Sequence, residues 1–283
     1  MRSYLYVPAD APDKLAKAAT RGADALIVDL EDAVPYARKS QAREAAAAFV
    51  RAASGLAVWV RINPGPAGHD DARAVAWPGL AGLCVAKTQT PDELAVLDAV
   101  LTDVERDRGV RLGSTPVVPL LETGAAVLDA VRIAQAPRVA RLQLGEADLA
   151  ADLGITPGPD ERELLAVRSH VVLASAAAGI DPPVAPVSTN FRDLDALRDS
   201  TFALRRLGFS GRACIHPAQL PIVHEVFTPT AQEIAAAADL VARFDAAQAS
   251  GSGVCLDAAG RMVDEAVVRA ARRLLRAADV RSG

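Results

Sequence analysis

Short apolar runs of the chain alternate with longer stretches rich in alanine, leucine and arginine. The runs are enriched in valine, isoleucine and leucine, which indicates strands, and the stretches between them have the spacing of amphipathic helices. Eight runs follow this rule: residues 4–9, 25–30, 57–63, 82–87, 115–123, 139–148, 182–188 and 212–217. Continuous apolar strands separated by helices form parallel sheets that the helices cover. Eight such units predict an α/β fold, the (β/α)8 TIM barrel.

The chain beyond residue 228 departs from this alternation. Two amphipathic helical stretches, TAQEIAAAADLVARFDAAQ and VDEAVVRAARRLLRAA, flank the glycine- and serine-rich segment SGSGVCLDAAG, which we interpret as a loop. We therefore expect a barrel catalytic domain over residues 1–228 and a C-terminal helical extension, or lid, over residues 229–283.

Composition narrows the possible partners and the compartment. The chain has 283 residues, 51% of them hydrophobic, and a net charge of -4 without a basic cluster, so we expect no nucleic-acid partner. No apolar run reaches the roughly 18 residues of a membrane helix, and the first residues lack a signal peptide, which favours the cytoplasm and no membrane partner. Cys84, Cys214 and Cys255 form no CxxC pair, so neither a disulfide nor a structural zinc site is expected.

Charged and polar side chains collect at the carboxyl ends of the predicted strands, where the active sites of (β/α)8 barrels lie. In chain order they are Asp29, Glu31, Asp32, Arg61, Asn63, Lys87, Glu122, Glu146, Asp148, Ser188 and His216. Carboxylates next to a core need a compensating cation. We expect Arg61 and Lys87 to neutralise the acids that follow the second strand, which leaves Glu122 and Asp148 to hold a metal cation.

Each of these residues also has a simpler explanation. Asp32 and Asp148 could cap the helices that follow them. Arg61 could be the structural partner of a buried carboxylate, and His216 lies in the turn-like segment IHPAQL. It is the coincidence of so many charged positions at strand ends that favours a catalytic site.

Seven segments, in order, resemble the motifs of the citrate lyase beta-subunit-like proteins, which are relatives of malyl-CoA and citramalyl-CoA lyases in the HpcH/HpaI aldolase superfamily. The segments are RSYLYVPAD, ALIVDLEDAV, VWVRINPG, VVPLLETGAAV, LQLGEADLAADLG, ACIHPAQLPIVHEVFTPT and GRMVD. The resemblance covers essentially the whole chain. It implies a (β/α)8 barrel, Mg²⁺, a homotrimer or a hexamer built from trimers, and substrates that are CoA thioesters of small 3-hydroxy acids.

The resemblance also implies roles for individual residues. Glu122 in LLET and Asp148 in GEADL would be the metal ligands, with Glu122 close enough to touch substrate. Arg61 in VRINPG would bind substrate and take part in catalysis, and His216 in IHPAQ would contact CoA. Asp264 in GRMVD would be the acid or base that a lid delivers to a neighbouring subunit. The alternative for Asp264 is a cap of the helix that begins at residue 265.

Two positions differ from the residues found in some relatives, and four acids are expected to support the site. Ala11 stands where many relatives have an arginine that contacts substrate or CoA phosphate, and Asp32 stands where relatives that cleave free hydroxy-acids have a histidine. Asp29, Glu31 and Glu146 are expected to support the metal ligands or to pair with Lys87, and Asp32 belongs to the same supporting group.

The residue types agree with this chemistry, because hard oxygen ligands suit Mg²⁺ and two carboxylates leave most of its octahedral positions open. We expect a Mg²⁺-dependent carbon–carbon lyase, or a synthase in reverse. Its substrate would be a short 3-hydroxyacyl-CoA thioester, and its products acetyl-CoA, or a related acyl-CoA, and a 2-oxo acid such as pyruvate, glyoxylate or oxaloacetate. The alternative is a citryl-thioester lyase beta subunit that works only in a citrate lyase complex, with an acyl carrier protein as partner.

Overall fold

The computed structural model describes residues 1–279. The chain divides into two compact units, Met1–Val226 and Phe227–Gly283. No helix within the described residues is both long and apolar enough to cross a membrane. Cys84 and Cys214 are buried, Cys255 is half-buried, and all three are free thiols.

The first unit is built on a parallel sheet with the strand order β6-β5-β4-β3-β2-β1-β7. The strands are β1 (Ser3–Pro8), β2 (Ala25–Asp29), β3 (Ala57–Ile62), β4 (Leu80–Val85), β5 (Val117–Leu121), β6 (Gln143–Leu144) and β7 (Arg212–Cys214). Isolated parallel bridges join Gln143 to Val184 and Ala185 to Arg212. These bridges connect the two edge strands and close the sheet into a barrel, as the apolar runs predicted.

The prediction of a regular seventh strand over residues 182–188 is wrong. Only the bridges at Val184 and Ala185 occupy this place in the barrel. The segment contains Pro182, Pro183 and Pro186. Because proline has no N–H, three positions of this short segment cannot donate to a strand ladder.

Helices follow the strands and cover the sheet. They are α1 (Pro12–Ala18), α2 (Lys39–Ala52), α3 (Gly65–Val75), α4 (Pro91–Asp107), α5 (Gly124–Leu128), α6 (Ala130–Ala134), α7 (Glu146–Leu153), α8 (Leu165–Ala178), α9 (Leu194–Leu207) and α10 (Leu220–Phe227). Thr90, Thr123 and Asp193 are N-caps whose side chains accept hydrogen bonds from the first turns of α4, α5 and α9. Such caps satisfy N–H groups that have no partner within the helix.

The barrel interior is filled with side chains. One cluster takes residues from most of the strands: Tyr4, Ala25, Ile27, Trp59, Cys84, Val118, Leu120, Val184 and Ala213. Trp59 packs so closely on Gly82 that a Cβ atom there would lie 2.3 Å from the indole ring. A filled interior leaves the strand ends as the place where a ligand can enter.

The second unit is a helical hairpin with a small sheet. Its elements are α11 (Ala231–Ala249), β8 (Cys255–Leu256), β9 (Met262–Val263) and α12 (Glu265–Asp279). Phe244, Val263 and Val268 form its core. The segment interpreted as a loop therefore contains a strand of an antiparallel hairpin, and two residues are too few to give a strand pattern in sequence.

Candidate active site

A cavity of about 430 Å³ opens at the carboxyl ends of the barrel strands. Its polar lining comprises Tyr6, Asp29, Asp32, Arg61, Glu122, Gln143, Glu146 and Asp148. Its apolar lining includes Val7, Leu120, Leu144, Val187 and Ile215. The fold therefore brings together most of the charged residues expected at the strand ends, from loops that are far apart in sequence.

Arg61 and Asp29 form the central ion pair of the cavity. They are direct neighbours in the pairing of β2 with β3. Arg61 donates from Nε to Asp29 Oδ1 at 2.7 Å and from Nη2 to Asp29 Oδ2 at 2.6 Å. Burial alone would lower the pKa of Arg61, but the hydrogen bonds and charge of Asp29 outweigh it and raise that pKa above its ordinary value. The guanidinium is thus charged and held in one orientation.

Lys87 neutralises the other two acids that follow β2. Its Nζ donates to Glu31 Oε1, and to Asp32 Oδ1 at 3.0 Å. Arg61 Nη1 also lies 3.2 Å from Glu31 Oε2. Glu31 is buried, whereas Asp32 is half-exposed at the cavity mouth. The three acids after β2 are therefore all paired with bases from the next two strands.

The backbone around Lys87 also positions Glu122. Lys87 has a φ of 52°, a left-handed conformation that costs a residue other than glycine about 1–2 kcal/mol. In this conformation its N–H donates to Glu122 Oε2 at 2.8 Å. On the other side, a Cβ atom at Gly145 would lie 2.4 Å from Glu122 Cγ, so only glycine fits there. The carboxylate is thus held between two backbone segments.

Glu122 and Asp148 differ from the other acids in having no basic partner. Neither forms an ion pair with any residue between 1 and 279. Burial raises the pKa of Glu122 to about 7, and the charges of Asp148 and Glu31 add to the effect. Glu122 follows β5 directly, as predicted. The prediction that Asp148 lies at the end of a strand is wrong, because Asp148 lies in the first turn of α7. These two carboxylates therefore line the cavity without a basic partner.

The donor set limits what kind of metal site this can be. Within the described part of the chain, no group of three or more His, Cys, Asp or Glu residues is placed to hold one ion. A closed cage of protein ligands is therefore absent from residues 1–279. Mg²⁺ is the metal that suits two carboxylates, since it keeps several waters and commonly binds one or two carboxylates together with substrate oxygens.

Glu146 does not pair with Lys87, which is one of its two expected roles. It accepts two hydrogen bonds from Arg168 on α8, at 2.6 Å from Nε and 2.7 Å from Nη2. Arg168 Nη1 also donates to Glu161 at 2.8 Å. Arg168 is itself buried, so the two glutamates compensate its charge and are held away from Lys87.

His216 and Asp264 each form a local capping interaction. His216 Nδ1 accepts a hydrogen bond from Ala218 N–H at 3.1 Å, and its exposed ring stacks on Phe191 with centroids 4.7 Å apart. In the second unit, Asp264 Oδ1 accepts from the N–H groups of Ala266 and Val267 at 3.0 and 3.1 Å. Asp264 therefore caps α12, the simpler of its two explanations, and its catalytic role stays a prediction.

Sequence reasoning missed Tyr6 and Gln143, which line the cavity from β1 and β6. Both lie within apolar runs that were interpreted as strands and nothing more. A signal existed in LQL, where a glutamine interrupts an apolar strand. A polar side chain inside a barrel must find a hydrogen-bond partner or face a site.

Residues 2–217 match the family model described as HpcH/HpaI aldolase/citrate lyase. The chain belongs to the HpcH/HpaI aldolase/citrate lyase family. This membership makes it an enzyme of the carbon–carbon lyase class, and it confirms the resemblance stated from the seven segments.

Individual members of the HpcH/HpaI family align with nearly the whole chain. A citrate lyase subunit beta from Leuconostoc mesenteroides subsp. cremoris is 32% identical, over 98% of this chain and 93% of the relative. A (3S)-malyl-CoA thioesterase from Cereibacter sphaeroides is 33% identical, over 98% of this chain and 94% of the relative. The crystal structure of CitE from Mycobacterium tuberculosis in complex with magnesium, acetoacetate and coenzyme A is 30% identical, with a TM-score of 0.75 and 98% of each chain covered.

Within this HpcH/HpaI family member, the Arg61–Asp29 pair predicts a specific loss of stability. Arg61→Gln leaves Asp29, which is 2% exposed, without a cation, and we expect a loss of about 3–5 kcal/mol in the free energy of unfolding by urea. Arg38→Gln is the control, because it removes an exposed pair with Asp10 and should cost less than about 1 kcal/mol. Equal stability of the two variants would show that the buried pair does not hold the strand ends together.

Proposed function

We propose that the protein is a Mg²⁺-dependent carbon–carbon lyase, or a synthase in reverse, for a short 3-hydroxyacyl-CoA thioester. The products would be acetyl-CoA, or a related acyl-CoA, and a 2-oxo acid such as pyruvate, glyoxylate or oxaloacetate. One observation carries the proposal. Six acids lie at the strand ends or in the helix turn that follows β6. Asp29, Glu31, Asp32 and Glu146 are neutralised by bases, and of the six only Glu122 and Asp148 are left to hold a cation.

The proposed metal site consists of Glu122 and Asp148. Their oxygens are hard ligands, both residues line the cavity, and neither forms an ion pair within residues 1–279, which fits a hard divalent cation. The CitE structure from Mycobacterium tuberculosis contains magnesium, which supports the same ion here. When bound, Mg²⁺ would supply a Lewis acid for the oxygens of the 2-oxo acid.

Arg61 would bind the carboxylate of the substrate. A guanidinium has five N–H donors. Two are taken by Asp29 and one points toward Glu31, so two remain for a ligand. In cleavage, the substrate hydroxyl would give its proton to water at the open mouth of the cavity, and the carbon–carbon bond would break. The electron pair moves toward the thioester as an enolate, while Arg61 holds the departing 2-oxo acid in place.

Asp264 and the second unit complete the proposal. We assign residues 1–228 as the catalytic barrel and residues 229–283 as a lid, in a homotrimer or in a hexamer built from two trimers. Asp264 of a neighbouring subunit would protonate the enolate carbon in cleavage, or remove a proton from the acetyl methyl group in synthesis. His216 would contact CoA at the rim, where its ring is exposed. We place the enzyme in the cytoplasm.

The citrate lyase beta subunit from Leuconostoc mesenteroides supports the second candidate function. In that case the chain would act inside a citrate lyase complex and receive its thioester from an acyl carrier protein. The malyl-CoA thioesterase relative adds hydrolysis of the thioester as a possible following step. All three candidate functions would use the same metal and the same Arg61. They differ in the group that carries the thioester and in whether the thioester is hydrolysed.

The experiment that tests the proposal is a substrate screen with Mg²⁺. Acetyl-CoA and propionyl-CoA are each combined with glyoxylate, pyruvate and oxaloacetate, and at least one pair should condense. Glu122→Gln and Asp148→Asn should each reduce turnover by at least about 100-fold and weaken Mg²⁺ binding in calorimetry. Asp152→Asn on the same helix is the control, because Asp152 only accepts a hydrogen bond from Gly124 N–H.

Two outcomes of this screen would change the conclusion. Wild-type Mg²⁺ affinity and turnover in Glu122→Gln and Asp148→Asn would remove both residues from the metal site. Turnover of carrier-linked thioesters together with no turnover of CoA thioesters would replace the first candidate function with the second.

The role of Asp264 is tested by mixing two inactive variants, Asp148→Asn and Asp264→Ala. Asp148 is exposed, so its substitution should leave the fold intact. If Asp264 serves a neighbouring subunit, co-assembled mixtures should regain roughly a quarter of wild-type activity, because each site draws its two acids from different chains. The control is the double variant Asp148→Asn/Asp264→Ala mixed with itself, which should stay inactive. Mixtures as inactive as the parents would leave Asp264 as a helix cap or a residue of its own chain's site.

A further inference from the structure

Arg168 is a buried cation that lies next to the candidate site but outside its cavity. It belongs to α8, its side chain is 5% exposed, and it does not line the cavity. All three nitrogens of its guanidinium are engaged. Nε and Nη2 donate to the two carboxylate oxygens of Glu146, and Nη1 donates to Glu161. Its contact with the site is therefore made through Glu146, which does line the cavity.

The two glutamates lie at the ends of the segment that carries Asp148. Glu146 is the first residue of α7, and Glu161 precedes the short 3₁₀ turn, residues 162–164, that leads into α8. Glu161 has a φ of 52°, a conformation that a residue other than glycine keeps only where its surroundings hold it. Arg168 therefore closes residues 146–161 into a loop whose two ends share one cation.

The first turn of α7 has no side-chain cap. Its N-cap residue is Gly145, which has no side chain to accept hydrogen bonds from the turn. A larger residue does not fit there, since a Cβ atom would lie 2.4 Å from Glu122 Cγ. The space that Glu122 occupies thus removes the cap from the helix that carries Asp148, and the pair of Arg168 with Glu146 holds this turn instead.

The direction of the Asp148 side chain depends on the turn that Arg168 holds. Among the described residues, none forms a hydrogen bond to the Asp148 carboxylate. Successive residues of an α-helix are about 100° apart around its axis, so Asp148 lies about 200° around from Glu146. Rotation of the turn would break both hydrogen bonds between Glu146 and Arg168. The pair therefore keeps Asp148 in the cavity lining, together with Glu122.

We infer that Arg168 is a positioning residue of the metal site, because it holds Glu146 and thereby keeps Asp148 within reach of the ion that Glu122 binds. Arg168 itself touches neither the metal nor the substrate. This inference rests on the proposed function, since it requires Asp148 to be a metal ligand. Groups that orient a metal ligand typically contribute about 10–100-fold to the affinity for the ion.

Two other roles of Arg168 predict different effects on Mg²⁺ affinity. If the Arg168 charge acted on the ion directly, its removal would make the site more negative and Mg²⁺ would bind more tightly. If the pair only stabilised the fold, its loss would lower the melting temperature and leave the Mg²⁺ affinity unchanged. Positioning predicts weaker binding of Mg²⁺, even where the positive charge is kept.

Calorimetry with Mg²⁺ on Arg168→Lys and Arg168→Met separates the three roles. Lysine keeps the charge but cannot hold both oxygens of Glu146 as the arginine fork does, so Arg168→Lys should bind Mg²⁺ about tenfold more weakly than the wild type. Arg168→Met removes the pair, and its Mg²⁺ affinity should fall by up to about 100-fold. If Arg168→Met does not fold, the result for Arg168→Lys decides alone.

Arg138→Lys is the matched control. The Arg138 side chain is 4% exposed and also holds both oxygens of one glutamate, with 2.7 Å from Nη1 to Glu105 Oε1 and 2.9 Å from Nη2 to Glu105 Oε2. Arg138 does not line the cavity. The melting temperature of Arg138→Lys should fall about as far as that of Arg168→Lys, whereas its Mg²⁺ affinity should equal that of the wild type.

Three results would overturn the inference. Wild-type Mg²⁺ affinity in both Arg168 variants would leave the pair with a structural role only. Tighter binding by Arg168→Met would show that the charge acts on the ion directly. An equal loss of affinity in Arg138→Lys would show that any loss of stability weakens the site. A wild-type protein that binds no Mg²⁺ would contradict the proposed function itself, whereas wild-type binding with unaffected Arg168 variants would contradict the inference alone.

Discussion

The arrangement of this site depends on the pairing of Arg61 with Asp29. Asp29 ends a fully buried strand, and its charge has to be compensated by the neighbouring strand. Once Arg61 is committed to Asp29, Lys87 is left to neutralise Glu31 and Asp32. Among residues 1–279, no base then forms an ion pair with Glu122 or Asp148. The proposed metal site follows from this distribution of charge and does not require a dedicated cage of ligands.

Backbone geometry fixes the position of the remaining carboxylate. The left-handed Lys87 gives its N–H to Glu122, and Gly145 leaves room for the Glu122 side chain. A strained non-glycine residue persists only where its surroundings hold it in place. Here the Lys87 ammonium is anchored by Glu31 and Asp32, so the charge network and the backbone conformation support each other.

The sequence predicted the barrel because its buried strands are continuous apolar runs, a pattern that depends only on local composition. The strand prediction failed at residues 182–188, where prolines interrupt the hydrogen-bond ladder. It also failed at Asp148, because the predicted sixth strand was continued to residue 148, which lies in a helix. The partner of Glu146 was missed because Arg168 lies 22 residues further along, on a helix. Tyr6 and Gln143 were missed because a strand pattern does not show which side chains line a cavity.

The most direct test of this account is where a divalent cation binds. Mn²⁺ has an anomalous signal and replaces Mg²⁺ at oxygen sites, so crystals grown with Mn²⁺ locate the ion without assumptions about activity. The account predicts one anomalous peak between Glu122 and Asp148, with oxygen distances of about 2.0–2.3 Å and the Arg61–Asp29 pair intact. A peak on the acids after β2, or none at Glu122 and Asp148 at millimolar Mn²⁺, would contradict it.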